Sequence, residues 1–248
     1  MQHDPYMYFP PPEPPKDTFI APRKSEIIIG VIYLVLHMFF LGDIIHFVIR
    51  LLGLTPSLIG INLVYMLTGT LVLTLTMRRY LLQSFAGFRT YGMKRNWAVF
   101  GIGYAIRLVG SIAIAPLITV LLPDFLQTPN SEVVMGMAAN HLFLTAFLAI
   151  ILAPILEELL FRGAIFGGLR KKNRILAYTV STLAFAFLHV LGFLLHDPSP
   201  TLLFVMLLYI PAGLGLAWSY ERSGSIWTAI FLHALMNLIA PGLGMFVL

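Results

Sequence analysis

Ile151-Leu152-Ala153-Pro154-Ile155-Leu156-Glu157-Glu158-Leu159-Leu160-Phe161-Arg162-Gly163 places two carboxylates and a guanidinium inside an otherwise apolar run. An ionisable side chain at mid-bilayer costs roughly 2.5–3.5 kcal/mol on insertion scales, so it normally faces the interior of a bundle and serves function. The rest of the chain makes that setting plain. Of its 248 residues, 58% are hydrophobic and 11% charged, and the mean hydropathy is +0.87. Soluble domains carry roughly 25% charged residues. A water-soluble enzyme, a nucleic-acid binder and a disordered scaffold are all poor readings.

The net charge of +5 and the pI near 9.6 do not point to nucleic acid, because the basic residues stand in short runs between apolar stretches. That is the layout of cytoplasmic loops in a membrane protein. With no cysteine in the chain, disulfides, thiolate metal sites and cysteine nucleophiles are excluded.

About 20 apolar residues cross a bilayer core. On that measure the chain is an all-α, polytopic transmembrane bundle of seven helices, or eight, expected near 26–49, 57–77, 97–122, 138–168, 175–195, 201–219 and 225–243. The last pair is shorter and interrupted by Pro211, Gly213, Gly215 and Pro241, so its count is the weakest. The bundle fills 26–248. Residues 1–25, with Pro5, Pro10, Pro11, Pro12, Pro14, Pro15 and Pro22, form an extended cytosolic leader. Pro10-Pro11-Pro12-Glu13-Pro14-Pro15 could dock an SH3-like partner, but a bare tether is the better reading. Arg78, Arg79, Arg89, Lys94 and Arg95 occupy one expected loop, and Arg170, Lys171, Lys172 and Arg174 another. The alternate loops hold only Asp124 and Glu132, or His196 and Asp197. Positive loops stay inside, so the amino terminus is expected in the cytoplasm; Lys16, Arg23, Lys24 and Arg222 agree and Arg50 dissents.

Glu158 and Arg162 are four apart and share a helix face, which suits an ion pair. Glu157 is rotated by about 100° from Glu158 and has no cation on its own helix, which makes it the carboxylate more suited to chemistry. Phe185 and His189 share a face of the next helix, and His233 and Asn237 a face of the last. At about 1.5 Å per residue, Glu157 lies about 20 Å from Arg170, His189 about 22 Å from Arg174, and His233 and Asn237 about 16 and 22 Å from Arg222. Three helices thus bring polar groups to one level below one membrane face. A carboxylate beside a neutral imidazole can orient and deprotonate a water, and a His–Asn pair offers N–H donors to an oxyanion. Together they make an amide hydrolase without a serine or cysteine nucleophile.

Glu157-Glu158-x-x-x-Arg162, Phe185-x-x-x-His189 and His233-x-x-x-Asn237, in that order, resemble the three motifs of the CAAX protease and bacteriocin-processing family of intramembrane proteases. Phe161-Arg162-Gly163 and Arg222-Ser223-Gly224-Ser225-Ile226-Trp227 resemble its flanking text, and the likeness spans about 135–240. It implies a glutamate-type endopeptidase without a cofactor. Glu157 and His189 then activate the water, His233 and Asn237 stabilise the oxyanion, and Glu158, Arg162 and Phe185 support the site. Family members include a eukaryotic protease that trims prenylated proteins and bacterial proteins that handle peptides or bacteriocin immunity. The short loops lean towards a bacterial cell membrane. The expected partners are the bilayer and a peptide or protein substrate.

Competing readings use the same residues. Glu157, His189 and His233 could form a His₂Glu catalytic zinc set with Glu158 as base, though no HExxH is present. A non-catalytic immunity or scaffold protein would keep the fold, but has no need for an unpaired Glu157. Seven helices without inverted repeats do not fit the common transporter plan. Plainer explanations cover other positions: Phe185 as packing, Gly163-x-x-x-Gly167 as close helix contact, Arg107 as a snorkelling side chain, and Asp43 and His46 as solvated near the external end. His141 is expected to open the fourth helix, too far along it to join Glu157.

Overall fold

The computed structural model describes residues 19–55, 57–90, 93–121, 128–196 and 198–239. Most of the expected leader, residues 1–18, lies outside the described residues, as do Asp124, Asp197 and Pro241. Among the described residues there are nine helices and no strands: α1 (Lys24–Phe39), α2 (Leu41–Leu51), α3 (Leu58–Thr76), α4 (Arg78–Thr90), α5 (Met93–Leu121), α6 (Pro129–Arg170), α7 (Arg174–His196), α8 (Thr201–Ser223) and α9 (Ile226–Ile239). The chain is an integral, multi-pass, all-α bundle.

Its count of crossings differs from the seven expected. Among the described residues, five helices (α3, α5, α6, α7 and α8) are long and apolar enough to cross a membrane, and a sixth crossing arises if α1 and α2 form one span bent by 62°. The expected single helix over 26–49 is therefore two helices that meet at Phe40, where the backbone leaves helical geometry. The helix carrying His233 and Asn237 has 14 described residues, Ile226–Ile239, about 21 Å at 1.5 Å per residue; the end of the expected helix, 240–243, lies outside the described residues. A further difference is α4, which occupies a stretch expected as a loop. Its positive charge masked an apolar stripe: Tyr80, Leu81 and Ser84 are buried at three- and four-residue spacing, while Arg78, Arg79 and Arg89 lie off it.

Local sequence sets the helix ends. Thr128 Oγ1 accepts from Ser131 N at 3.2 Å, and Pro129 then opens α6, where its missing N–H costs nothing. Helix α6 begins nine residues before its expected start at 138, so His141 lies within it rather than at its head. There His141 breaks the backbone (φ −143°, ψ 55°). Gly224 closes α8 with φ +68°, a conformation that glycine adopts without a Cβ penalty, and its N–H bonds Tyr220 O at 3.0 Å. Ser84 receives the next helix: its Oγ accepts from Ile226 N at 2.9 Å, and its carbonyl accepts from Ser225 Oγ at 2.8 Å.

The core forms around α6. Half of its spanning window is buried, against 6% for α5, and α1, α3, α7 and α9 all pack on it. Helix α5 lies against α8 so closely that a Cβ on Gly215 would stand 2.4 Å from Gly103 O. Small residues permit such crossings where lipid supplies no hydrophobic drive between helices. The outward faces of α1, α2, α3 and α5 carry exposed Ile, Leu, Val and Phe, as a lipid-facing surface does. At the end of α6 beside Arg170, Glu221 gathers Arg170 (3.2 Å), Arg174 (2.7 Å) and the Tyr178 hydroxyl (2.7 Å). The last part of the expected leader packs here. Phe19 lies under the Arg170 guanidinium and edge-on to Tyr220, and Pro22 fills the space beside Gly167.

Candidate active site

Helix α6 changes pitch twice around its carboxylates. Phe147–Leu152 and Leu159–Phe166 are π-helical, and the α-helical turn Ala153–Glu158 stands between them. Proline explains the first change, because its ring clashes with the carbonyl four residues back in a regular α-helix; Pro154 lies two residues after the end of the widened segment. Such π-bulges occur often at functional sites.

The two adjacent carboxylates face different partners, as their rotation requires. Glu158 is fully buried. Its Oε1 accepts from Arg162 Nη1 at 3.0 Å and lies 2.8 Å from His233 Nδ1. Arg162, also fully buried, donates from Nη2 to Gly213 O at 2.9 Å and lays its guanidinium over the Phe185 ring at 4.7 Å. A buried ion pair of this kind is costly to desolvate; the Gly213 carbonyl and the ring face offset part of that cost, while Arg162 Nε and Glu158 Oε2 have no hydrogen-bond partner among the described residues.

Glu157 is 8% exposed, and its Oε2 has no hydrogen-bond partner among the described residues. That oxygen lies 3.9 Å from His189 Nε2 and 3.9 Å from His233 Nε2. Both imidazoles are held by their other nitrogen. His189 Nδ1 is 2.9 Å from Phe185 O; a carbonyl can only accept, so Nδ1 carries the hydrogen. His233 Nδ1 donates in the same way to the ion-paired Glu158 carboxylate. These contacts fix ring orientation and tautomer, leaving Nε2 of each ring turned to Glu157. Phe185 packs both rings, with centroids 4.6 Å from His189 and 5.7 Å from His233.

Glu157, Glu158, Arg162, Phe185, His189 and His233 thus form one connected group, drawn from α6, α7 and α9. Asn237 lies one turn beyond His233, and its Nδ2 donates to Ala149 O in the first π segment at 2.8 Å. Tyr209 and the Gly213 carbonyl were not among the expected site groups. The Tyr209 ring stacks on His189 with centroids 4.4 Å apart and planes 32° apart. Its only sequence signal is an aromatic two residues before Pro211; a backbone carbonyl leaves none. Among the described residues, no group of three or more His, Asp or Glu side chains is arranged to hold a metal ion.

Comparison with known proteins points to the same stretch. Residues 139–239 match the family described as type II CAAX prenyl endopeptidase Rce1-like. Over 88 residues, 35% of the chain, it is 39% identical to a Bacillus subtilis (strain 168) protein named "Putative membrane peptidase YdiL", covering 32% of that protein. Over 97 residues, 39% of the chain, it is 31% identical to "UPF0177 protein YaiH" of Lactococcus lactis subsp. lactis (strain IL1403), covering 36% of it. The chain therefore matches about a third of the length of these curated relatives. No solved structure matches. The stretch that builds the buried polar site, residues 139–239, is thus the stretch that is similar to the Rce1-like type II CAAX prenyl endopeptidases.

Proposed function

We propose that the protein is a glutamate-type intramembrane endopeptidase that hydrolyses a peptide bond in a peptide or protein substrate near the cytosolic side. The observation that carries this reading is the Glu157 oxygen, buried, without a hydrogen-bond partner among the described residues, and 3.9 Å from two imidazole nitrogens. Those separations are too long for direct hydrogen bonds and suit one bridging water. The water gives one hydrogen to Glu157 Oε2 and the other to His189 Nε2, so that its lone pair faces the scissile carbonyl. As the C–O bond forms, Glu157 takes the proton. His233 acts here as the imidazolium, with Nδ1–H on the Glu158 carboxylate and Nε2–H directed to the developing oxyanion. Collapse then breaks the C–N bond, and the proton on Glu157 passes to the leaving amine.

This reading uses no cofactor. It places the amino terminus in the cytoplasm, from the basic loops, and the protein in a bacterial cell membrane, a setting supported by the two bacterial relatives. The expected partners are the substrate and the bilayer; the proline-rich leader is read as a tether, and no partner is assigned to it. The test needs no known substrate. Wild type and Glu157→Ala, purified in detergent, are incubated with a mixture of prenylated and unprenylated peptides, and new termini are read by mass spectrometry. Cleavage by wild type alone is expected and names the substrate class. Equal cleavage by both removes Glu157 from the base role. Silence from both, where Glu157→Ala still confers the wild-type cellular phenotype, favours the non-catalytic scaffold.

A further inference from the structure

The first π segment of α6 leaves one backbone carbonyl without its helical partner. In this register each carbonyl bonds the N–H five residues on, and Ala153 N–H accordingly bonds Leu148 O. The next carbonyl, Ala149, falls to residue 154, which is proline and has no N–H. A buried carbonyl without a donor is costly anywhere, and more so in a membrane, where water cannot replace the lost bond. Asn237 Nδ2 donates to Ala149 O at 2.8 Å.

The consequence reaches the site through short stretches of helix. Glu157 lies three residues after Pro154, and His233 lies four residues before Asn237, on the same face of α9. His233 is tied to Glu158 at 2.8 Å. Two bonds one turn apart therefore pin α9 to α6, one on either side of Pro154. We propose that Asn237 is a positioning residue: its amide supplies Ala149 O with the hydrogen that Pro154 lacks, clamping α9 to the widened turn and setting Glu157 opposite His189 and His233. The clamp rests on hydrogen-bond geometry alone. Its effect on turnover rests on the peptidase reading above.

The sequence resemblance implies a different role for Asn237, donation to the oxyanion, and one pair of substitutions separates the two. Pro154→Ala restores a backbone N–H at the position where Ala149 O needs one, and offers nothing to an oxyanion. Full-length wild type, Pro154→Ala, Asn237→Ala and the double variant are compared for Tm in detergent, and for kcat and KM on a peptide that wild type cleaves. Asn237→Ala is expected to lower Tm by about 2–4 °C, the shift for one net hydrogen bond in a chain of this size. It should lower kcat about 100-fold with KM little changed, as small displacements of a catalytic group do. Adding Pro154→Ala should return Tm to the wild-type value and kcat to within about tenfold of it. Where Pro154→Ala alone keeps wild-type kcat, recovery of Tm without any recovery of kcat would overturn the positioning role and assign Asn237 to the reacting atoms. An unchanged Tm in Asn237→Ala, or no recovery in the double variant, would overturn the clamp itself. If wild type cleaves no peptide, the Tm series still decides the clamp, and the failure falls on the peptidase reading.

Discussion

Glu158 Oε1 lies 2.8 Å from His233 Nδ1, so the carboxylate that pairs with Arg162 also orients an imidazole facing Glu157. The adjacent glutamates thereby have separate tasks. Glu158 Oε1 serves both Arg162 and His233, whereas Glu157 Oε2, without a hydrogen-bond partner among the described residues, faces the Nε2 atoms of His189 and His233.

That division gives the first expectation. Glu157→Gln keeps the shape of the side chain but cannot accept a proton from water. Cleavage should fall by about 10²–10⁴-fold, the usual contribution of a general base, with Tm close to wild type. Unchanged turnover in a peptide assay would remove Glu157 from the mechanism.

The Glu158–Arg162 pair should separate stability from activity. Arg162→Leu leaves a buried carboxylate without its cation and is expected to destabilise by about 3–5 kcal/mol, whereas Glu158→Leu with Arg162→Leu should recover much of that loss. The double variant should remain inactive, because His233 has lost its tether. Thermal unfolding in detergent and peptide cleavage, measured together, check both halves.

Metal independence is a third expectation. Prolonged treatment with a strong chelator should leave turnover intact. Loss of activity that returns on adding zinc would move the assignment to the metalloprotease built from Glu157, His189 and His233.

The α5–α8 crossing supplies a prediction far from the chemistry. A methyl at Gly215 would meet the Gly103 carbonyl, a backbone group, at 2.4 Å. Gly215→Ala should cost about 1–3 kcal/mol as overpacking, read as a lowered Tm. Gly136→Ala, inside α6 where a Cβ meets nothing within 4 Å, is the control and should keep or slightly raise Tm.

Orientation can be read directly because the chain has no cysteine of its own. Lys171→Cys in intact cells should resist a membrane-impermeant thiol reagent and react after permeabilisation. Labelling in intact cells would reverse the topology.

Sequence alone determined the class of this protein, because bilayer crossing and the spacing of polar residues are local properties. Long apolar runs dictated an all-α membrane bundle, and four-residue spacing put Glu158 with Arg162, Phe185 with His189 and His233 with Asn237 on shared faces. Depth counted from the basic loops brought three helices to one level. The basic residues of α4 concealed a helix, since its apolar stripe is only as wide as Tyr80, Leu81 and Ser84. Nor could spacing show which nitrogen of each histidine faces Glu157, because that depends on the Phe185 carbonyl and on Glu158 as they lie in three dimensions. The Gly213 carbonyl under Arg162 and the Ala149 carbonyl under Asn237 carry no side-chain signal at all. They were decided by tertiary structure, in which a proline-widened turn of α6 exposes a backbone oxygen and a helix 88 residues away in the chain supplies the missing hydrogen.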